Sequence, residues 1–79
     1  MEIKILGTGC PNCRTLERLT QEVVDKNNIN ATIMKVEDIM EIMKYNILSL
    51  PALVVNGNVE IKGRVPSSVE IMEILSKYK

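Results

Sequence analysis

The stretch "PALVVNGNVEIK", residues 51–62, restricts the fold more than any other part of this chain. Asn56 and Gly57 tolerate the positive φ that both central residues of a type I′ turn require, and β-rich apolar runs flank them. An antiparallel hairpin is therefore expected over 51–62. The chain before it has a different rhythm. "EIKIL" (2–6) is a short β-rich run closed by Gly7 and Gly9. From Pro11 to about Lys26, Leu16, Leu19, Val23 and Val24 recur at helical spacing, and "NNIN" closes the segment. "ATIMKV" (31–36) is β-rich again. Two strands joined by a helix run parallel, so parallel and antiparallel pairing must coexist in one sheet.

Two further helices complete the order. "EDIMEIMKYN" (37–46) opens with acidic residues suited to the positive end of a helix, and it carries Ile39, Met40 and Met43 on one side. Ser67 with Glu70 three positions on is a capping box, opening a helix with the apolar face Ile71, Ile74, Leu75 and Tyr78. Glu73 and Lys77 are spaced for an exposed i,i+4 pair. The order βαβαββα implies an α/β fold: a mixed four-stranded sheet with helices on both faces. At 79 residues there is room for one core, so one domain over 1–79 is expected.

Composition removes several function classes. Ten basic and ten acidic residues balance to a formal charge of zero, and Tyr45 and Tyr78 are the only aromatics. A phosphate backbone or stacked bases would find little to bind, so nucleic acid is not an expected partner. "MEIKILGTG" lacks the basic and long apolar regions of a secretory signal. The uncharged stretch 46–59 contains Pro51 and Gly57 and falls short of the ~20 apolar residues of a membrane helix. No membrane association and a cytoplasmic setting are expected. The sequon at Asn30, Ala31 and Thr32 is then a chance match.

Both cysteines lie in "GTGCPNC", residues 7–13, at the junction of the first strand and first helix. Two thiols so close can hold a metal, cycle between dithiol and disulfide, or merely pack. In a reducing compartment, a CxxC at such a junction points to redox or metal chemistry. Proline favours the first helical position, where its missing N–H and fixed φ do no harm. With Pro11 there, Cys10 becomes the N-cap, its sulfur facing the free N–H groups of Asn12 and Cys13. The helix dipole favours its thiolate, so Cys10 is the expected nucleophile. Cys13, one turn on and on the same side, is placed to resolve a mixed disulfide. Arg14 and Arg18 add positive charge, although helix-surface arginines are usually just solvated.

The alternative is a soft-metal carrier, since two thiolates also hold Cu(I). Copper-chaperone domains too have CxxC after a first strand, but they pass from first helix to hairpin and end in a strand. A closed zinc site needs four ligands, and the chain has no histidine and only two cysteines. The missing histidine also removes a Cys/His hydrolase pair. "GTGCPN" has Asn12 at the third glycine of a dinucleotide loop.

With its CxxC between first strand and first helix, "SLPALVV" opening the third strand and a closing helix, the chain resembles the minimal thioredoxin fold of thioredoxins and glutaredoxins. Its start "IKILGTGCPNC" is most similar to small archaeal and bacterial redox-active disulfide proteins. The likeness spans the whole chain. It implies a thiol:disulfide oxidoreductase with no cofactor beyond the Cys10 and Cys13 pair, acting as a monomer on protein or small disulfides and re-reduced by an unidentified reductase. It also implies that Pro51 is a cis-proline against the thiols, with the Leu50 backbone docking an extended substrate. Gly9, Pro11, Asn12 and Gly63 would line the same edge. Thioredoxins carry a tryptophan before the first cysteine and a buried acid six residues upstream of it; here those positions hold Gly9 and Lys4. Lys4 is read as an edge or solvent-facing charge.

Overall fold

The computed structural model describes residues 1–78. Strand β1 (Glu2–Leu6) leads into helix α1 (Pro11–Lys26), then β2 (Thr32–Val36), the short helix α2 (Ile39–Met43), the hairpin β3 (Ala52–Val55) and β4 (Asn58–Lys62), and α3 (Ser68–Ser76). The strands lie in the order β2-β1-β3-β4; β1 pairs parallel with β2 and antiparallel with β3, and β3 pairs antiparallel with β4. The expected α/β fold is therefore the observed one.

Two cores flank the sheet. On one face, Ile3 and Ile5 of β1 and Leu53 and Val55 of β3 pack with Leu16, Val23 and Val24 of α1 and Ile71, Ile74 and Leu75 of α3. On the other, Leu6, Ala52 and Val54 pack with Ile42 of α2 and Ile47. Strand β3 is buried along its whole length, which is why "ALVV" shows no polar alternation. Each buried aliphatic side chain contributes about 1.5–3 kcal/mol. An exposed ion pair such as Arg18–Glu22, at 3.8 Å, contributes about 0–1 kcal/mol. The two cores, and not the surface pairs, hold the sheet together. Among the described residues, no helix is long and apolar enough to cross a membrane.

The hairpin turn has the expected chemistry, with Asn56 at φ 49° and Gly57 at φ 85°. Asn56 also ties the turn to β1: its N–H donates to the Glu2 carbonyl and its Oδ1 accepts from the Glu2 N–H, both at 2.8 Å. A bulge follows. Leu53 pairs with Ile61 and Val54 with Val59, leaving Glu60 as the extra residue. The bulge changes the facing of β4, so that Val59 packs against the α2-side core while Ile61 enters the α1/α3 core.

Three local expectations are corrected. Helix α2 stops at Met43, and the chain turns through Asn46 at φ 56°. Only one turn of helix exists, started by Asp38, whose Oδ1 accepts from the Met40 N–H at 2.9 Å. One turn offers a single inward position, and Ile42 takes it at 2% exposure. Ile39, Met40 and Met43 face outward, Met40 at 68% exposure. Lys77 pairs with Glu60 across β4 at 3.2 Å instead of with Glu73, because the bulge turns Glu60 toward α3. Tyr78 donates to the other oxygen of Glu60. Finally, Lys4 is neither at an edge nor turned to solvent. Strand β1 is internal to the sheet, and the Lys4 side chain is only 27% exposed.

Candidate active site

The loop between β1 and α1 starts as a continuation of the sheet. The Gly7 N–H donates to the Val36 carbonyl at 3.0 Å, which locks the end of β1 to the end of β2. Gly9 then turns the chain at φ +84°, a left-handed conformation that glycine adopts without steric cost. Cys10 follows as the N-cap of α1, with extended backbone (φ −70°, ψ 161°) and Pro11 in the first helical turn. Its Sγ accepts from the Cys13 N–H at 3.3 Å. One of the unsatisfied donors of the helix start thus points at sulfur, where it favours negative charge.

Cys10 and Cys13 are joined as a disulfide, with Cα atoms 5.1 Å apart. Their surroundings differ. Cys10 is half-buried, flanked by exposed Pro11 and Asn12, whereas Cys13 is only 8% exposed. Its sulfur lies on Gly7, close enough that a Cβ there would overlap it. The absence of a side chain at Gly7 therefore makes the space in which Cys13 sits. Sequence reasoning treated Gly7 only as a strand breaker, and no local signal marks this contact.

A second group comes from the other side of the sheet end. The Leu50–Pro51 peptide bond is cis, Pro51 is buried and Leu50 is half-buried against the α2-side core. The Pro51 carbonyl accepts from the Gly63 N–H at 2.9 Å. Gly63 has φ +76°, and a Cβ there would stand 2.9 Å from the Ser49 Cβ, so the two loops press on each other. Leu6 pairs with Ala52 and Ala52 with Lys62. That register sets Gly7, Pro51 and Gly63 side by side at one end of the sheet. Gly9, Pro11 and Asn12 stay with the cysteines at the β1–α1 junction, and Leu50 and Gly63 belong to the neighbouring loop pair.

The charged residues sort by sheet face. Lys4 alternates to the α2 side, where its Nζ donates to the Tyr45 hydroxyl at 3.3 Å and lies 3.5 Å from Glu2. The Tyr45 hydrogen bond first, then the charges of Tyr45 and Glu2, hold the Lys4 ammonium above its ordinary pKa. It is a tether between β1 and the turn after α2, on the opposite face from Cys13. On the Cys13 side a cavity of about 130 Å³ opens beside the thiol, and its charged lining is Arg14, Glu17, Lys35 and Glu37. Arg18 points elsewhere, toward Glu22. In the sequence Glu37 marks only an acidic helix start; its approach to the cysteine loop depends on β2 pairing with β1.

The arrangement can take part in thiol–disulfide exchange: an accessible sulfur at a helix N-terminus, bonded to a second sulfur withdrawn behind it. Comparison with known proteins agrees. The family described as thioredoxin domain matches residues 1–76. A protein named thioredoxin from Methanothermobacter thermautotrophicus is 42% identical over 76 residues, covering 96% of this chain and 99% of that protein. One of the same name from Methanocaldococcus jannaschii is 34% identical over 76 residues, 96% of this chain and 87% of that protein. A probable thioredoxin from Archaeoglobus fulgidus is 32% identical over 73 residues, 89% of this chain and 79% of that protein.

Proposed function

This chain belongs to the thioredoxin family and is a thiol:disulfide oxidoreductase, and from that premise we propose that Cys10 is its nucleophile and Cys13 its resolving thiol. The Cys10 thiolate attacks one sulfur of a substrate disulfide, forming a mixed disulfide and releasing the first substrate thiolate. Cys13 then attacks Cys10, forming the Cys10–Cys13 disulfide as the second substrate thiolate leaves. Two electrons pass to the substrate, and a reductase returns them to the pair. The observation that supports this division of roles is the contrast between the sulfurs. Cys10 accepts a helix-terminal N–H at the surface, and Cys13 is packed on Gly7 behind it.

The substrates are protein disulfides. In this reading Leu50 presents its backbone beside Pro51 to an extended segment of the partner, with Gly9, Pro11, Asn12 and Gly63 around it. The chain acts as a single domain and as a monomer in the cytoplasm. The soft-metal carrier is set aside, because the chain matches the thioredoxin family over residues 1–76 and carries helix α2 between β2 and the hairpin.

Trapping tests the roles. With insulin as substrate, Cys13→Ser is expected to accumulate a mixed disulfide with the insulin chain, and Cys10→Ser to accumulate none. Equal trapping by both variants on non-reducing gels would refute the assignment.

A further inference from the structure

The segment that joins α2 to β3 carries Leu50 and Pro51, and its backbone has few anchors. Before it, the Asn46 N–H donates to the Met43 carbonyl at 3.1 Å; after it, the Pro51 carbonyl accepts from the Gly63 N–H at 2.9 Å. Between the two, residues 47–50 take part in no backbone–backbone hydrogen bond among the described residues. A backbone left free in this way can pair with an extended partner. It also leaves side chains to fix where the segment lies. Tyr45, Ile47 and Leu50 pack against the α2-side core, and Ser49 presses on Gly63.

Tyr45 adds a polar bond to its packing, since its hydroxyl accepts from Lys4 Nζ at 3.3 Å, 41 positions away in the chain. Lys4 is an exception on its face of the sheet. Its register partner in β3 is Val54, and the next pair toward the thiols is Leu6 with Ala52, all three buried. A charged group set among such neighbours has to be held by partners, and those of Lys4 are Tyr45 and Glu2, the latter at 3.5 Å. Glu2 belongs to the same strand. The bond to Tyr45 is therefore the one that crosses to another element. Strand β1, paired on both sides, is a firm base for it, and the same strand runs through Gly7 into Cys10.

We propose that Lys4 is a positioning residue for partner docking: through Tyr45 it sets the segment that presents the Leu50 backbone relative to the strand that carries Cys10. The proposal rests on reading the Leu50 backbone as the docking edge. Lys4 touches no reacting atom and lies on the opposite face from Cys13. Its effect is confined to partners with an extended backbone to dock, and the attack of Cys10 on a small disulfide does not pass through it. A lysine that served stability alone would draw no such distinction between substrates.

Two disulfides separate the roles. Insulin, with dithiothreitol as electron donor, offers a polypeptide backbone; 5,5′-dithiobis(2-nitrobenzoate) offers none. Lys4→Met keeps an unbranched side chain without the ammonium, and Tyr45→Phe removes only the hydroxyl. Each is expected to raise KM for insulin about threefold to tenfold, the net worth of one backbone hydrogen bond lost in docking, with kcat within about twofold of wild type. Release of the first nitrothiolate, which reports Cys10 attack, should keep its wild-type rate. The double variant replaces both partners by apolar groups of similar shape, so it is expected to fold and to raise KM no further than the larger single change, because the same bond is lost. An insulin KM raised less than about threefold by both single variants, while Gly63→Ala raises it, would overturn the proposal with the docking role intact. Nitrothiolate release slowed as much as insulin reduction would overturn it too. An insulin KM moved by none of Lys4→Met, Tyr45→Phe and Gly63→Ala would remove the docking role and the proposal with it.

Discussion

A methyl group added at Gly7 would fall on the Cys13 sulfur, and this makes Gly7→Ala the sharpest probe of how the site is packed. The new Cβ would overlap Sγ and stand 3.0 Å from the Cys13 Cβ. Backbone strain plays no part, because Gly7 is not among the glycines with positive φ. Neither side yields easily. The Gly7 N–H is held by Val36 at 3.0 Å, and α1 is anchored by Leu16, Val23 and Val24 in the core. Overpacking of this kind costs about 1–3 kcal/mol. For a domain of 60–100 residues each kcal/mol lowers Tm by about 4–8 °C, so a loss of roughly 4–24 °C is expected. The cost should run through sulfur, which a double-mutant cycle with Cys13→Ala can isolate. Urea unfolding of the four proteins in dithiothreitol should show Gly7→Ala costing less once the sulfur is gone, with a coupling of about 0.5–3 kcal/mol. An equal cost with and without the sulfur would refute the packing of Cys13 on Gly7.

Two further outcomes follow from geometry away from the thiols. Gly63→Ala combines a left-handed backbone with a Cβ 2.9 Å from Ser49, so it should destabilise by roughly 1–3 kcal/mol. By shifting the loop that carries Leu50 and Pro51, it should raise KM for insulin reduction more than it lowers kcat. The Glu60 carboxyl is held below its ordinary 4.5, first by the Tyr78 hydroxyl and then by Lys77, with partial burial opposing. A lowered folded-state pKa adds stability that is present above pH 4.5 and lost as pH falls through the folded value. Urea unfolding from pH 7 to pH 3 should therefore decline less steeply for Glu60→Gln than for wild type, and parallel curves would contradict the Glu60–Tyr78 bond.

What was legible in the sequence was chemistry complete within a few neighbouring residues. Asn56 and Gly57 announce a hairpin because their φ preferences are their own, and Pro11 places Cys10 at the N-cap because proline at the first helical position needs no distant partner. The reading weakened as soon as an outcome depended on which elements meet. Helix α2 is too short for periodicity to choose a face, so Ile42 entered the core and Met40 did not. The bulge at Glu60 is a product of β3–β4 register, and with it goes the Lys77 pair. Lys4 looked peripheral because a lysine in a strand is usually at an edge; pairing of β1 on both sides put it inside, with Tyr45 as its partner. The closeness of Gly7 to Cys13 and of Glu37 to Gly9 joins residues that share no motif.

The division of labour between the two thiols is tested most directly by alkylating the fully reduced wild-type protein with limiting iodoacetamide at neutral pH and locating the label by peptide mass spectrometry. The half-buried Cys10 at the helix N-cap should be modified at least about tenfold faster than Cys13 behind it, as expected for the thiolate-favouring and more accessible sulfur. Label arriving on Cys13 as fast as on Cys10 would contradict the assignment of Cys10 as the nucleophile.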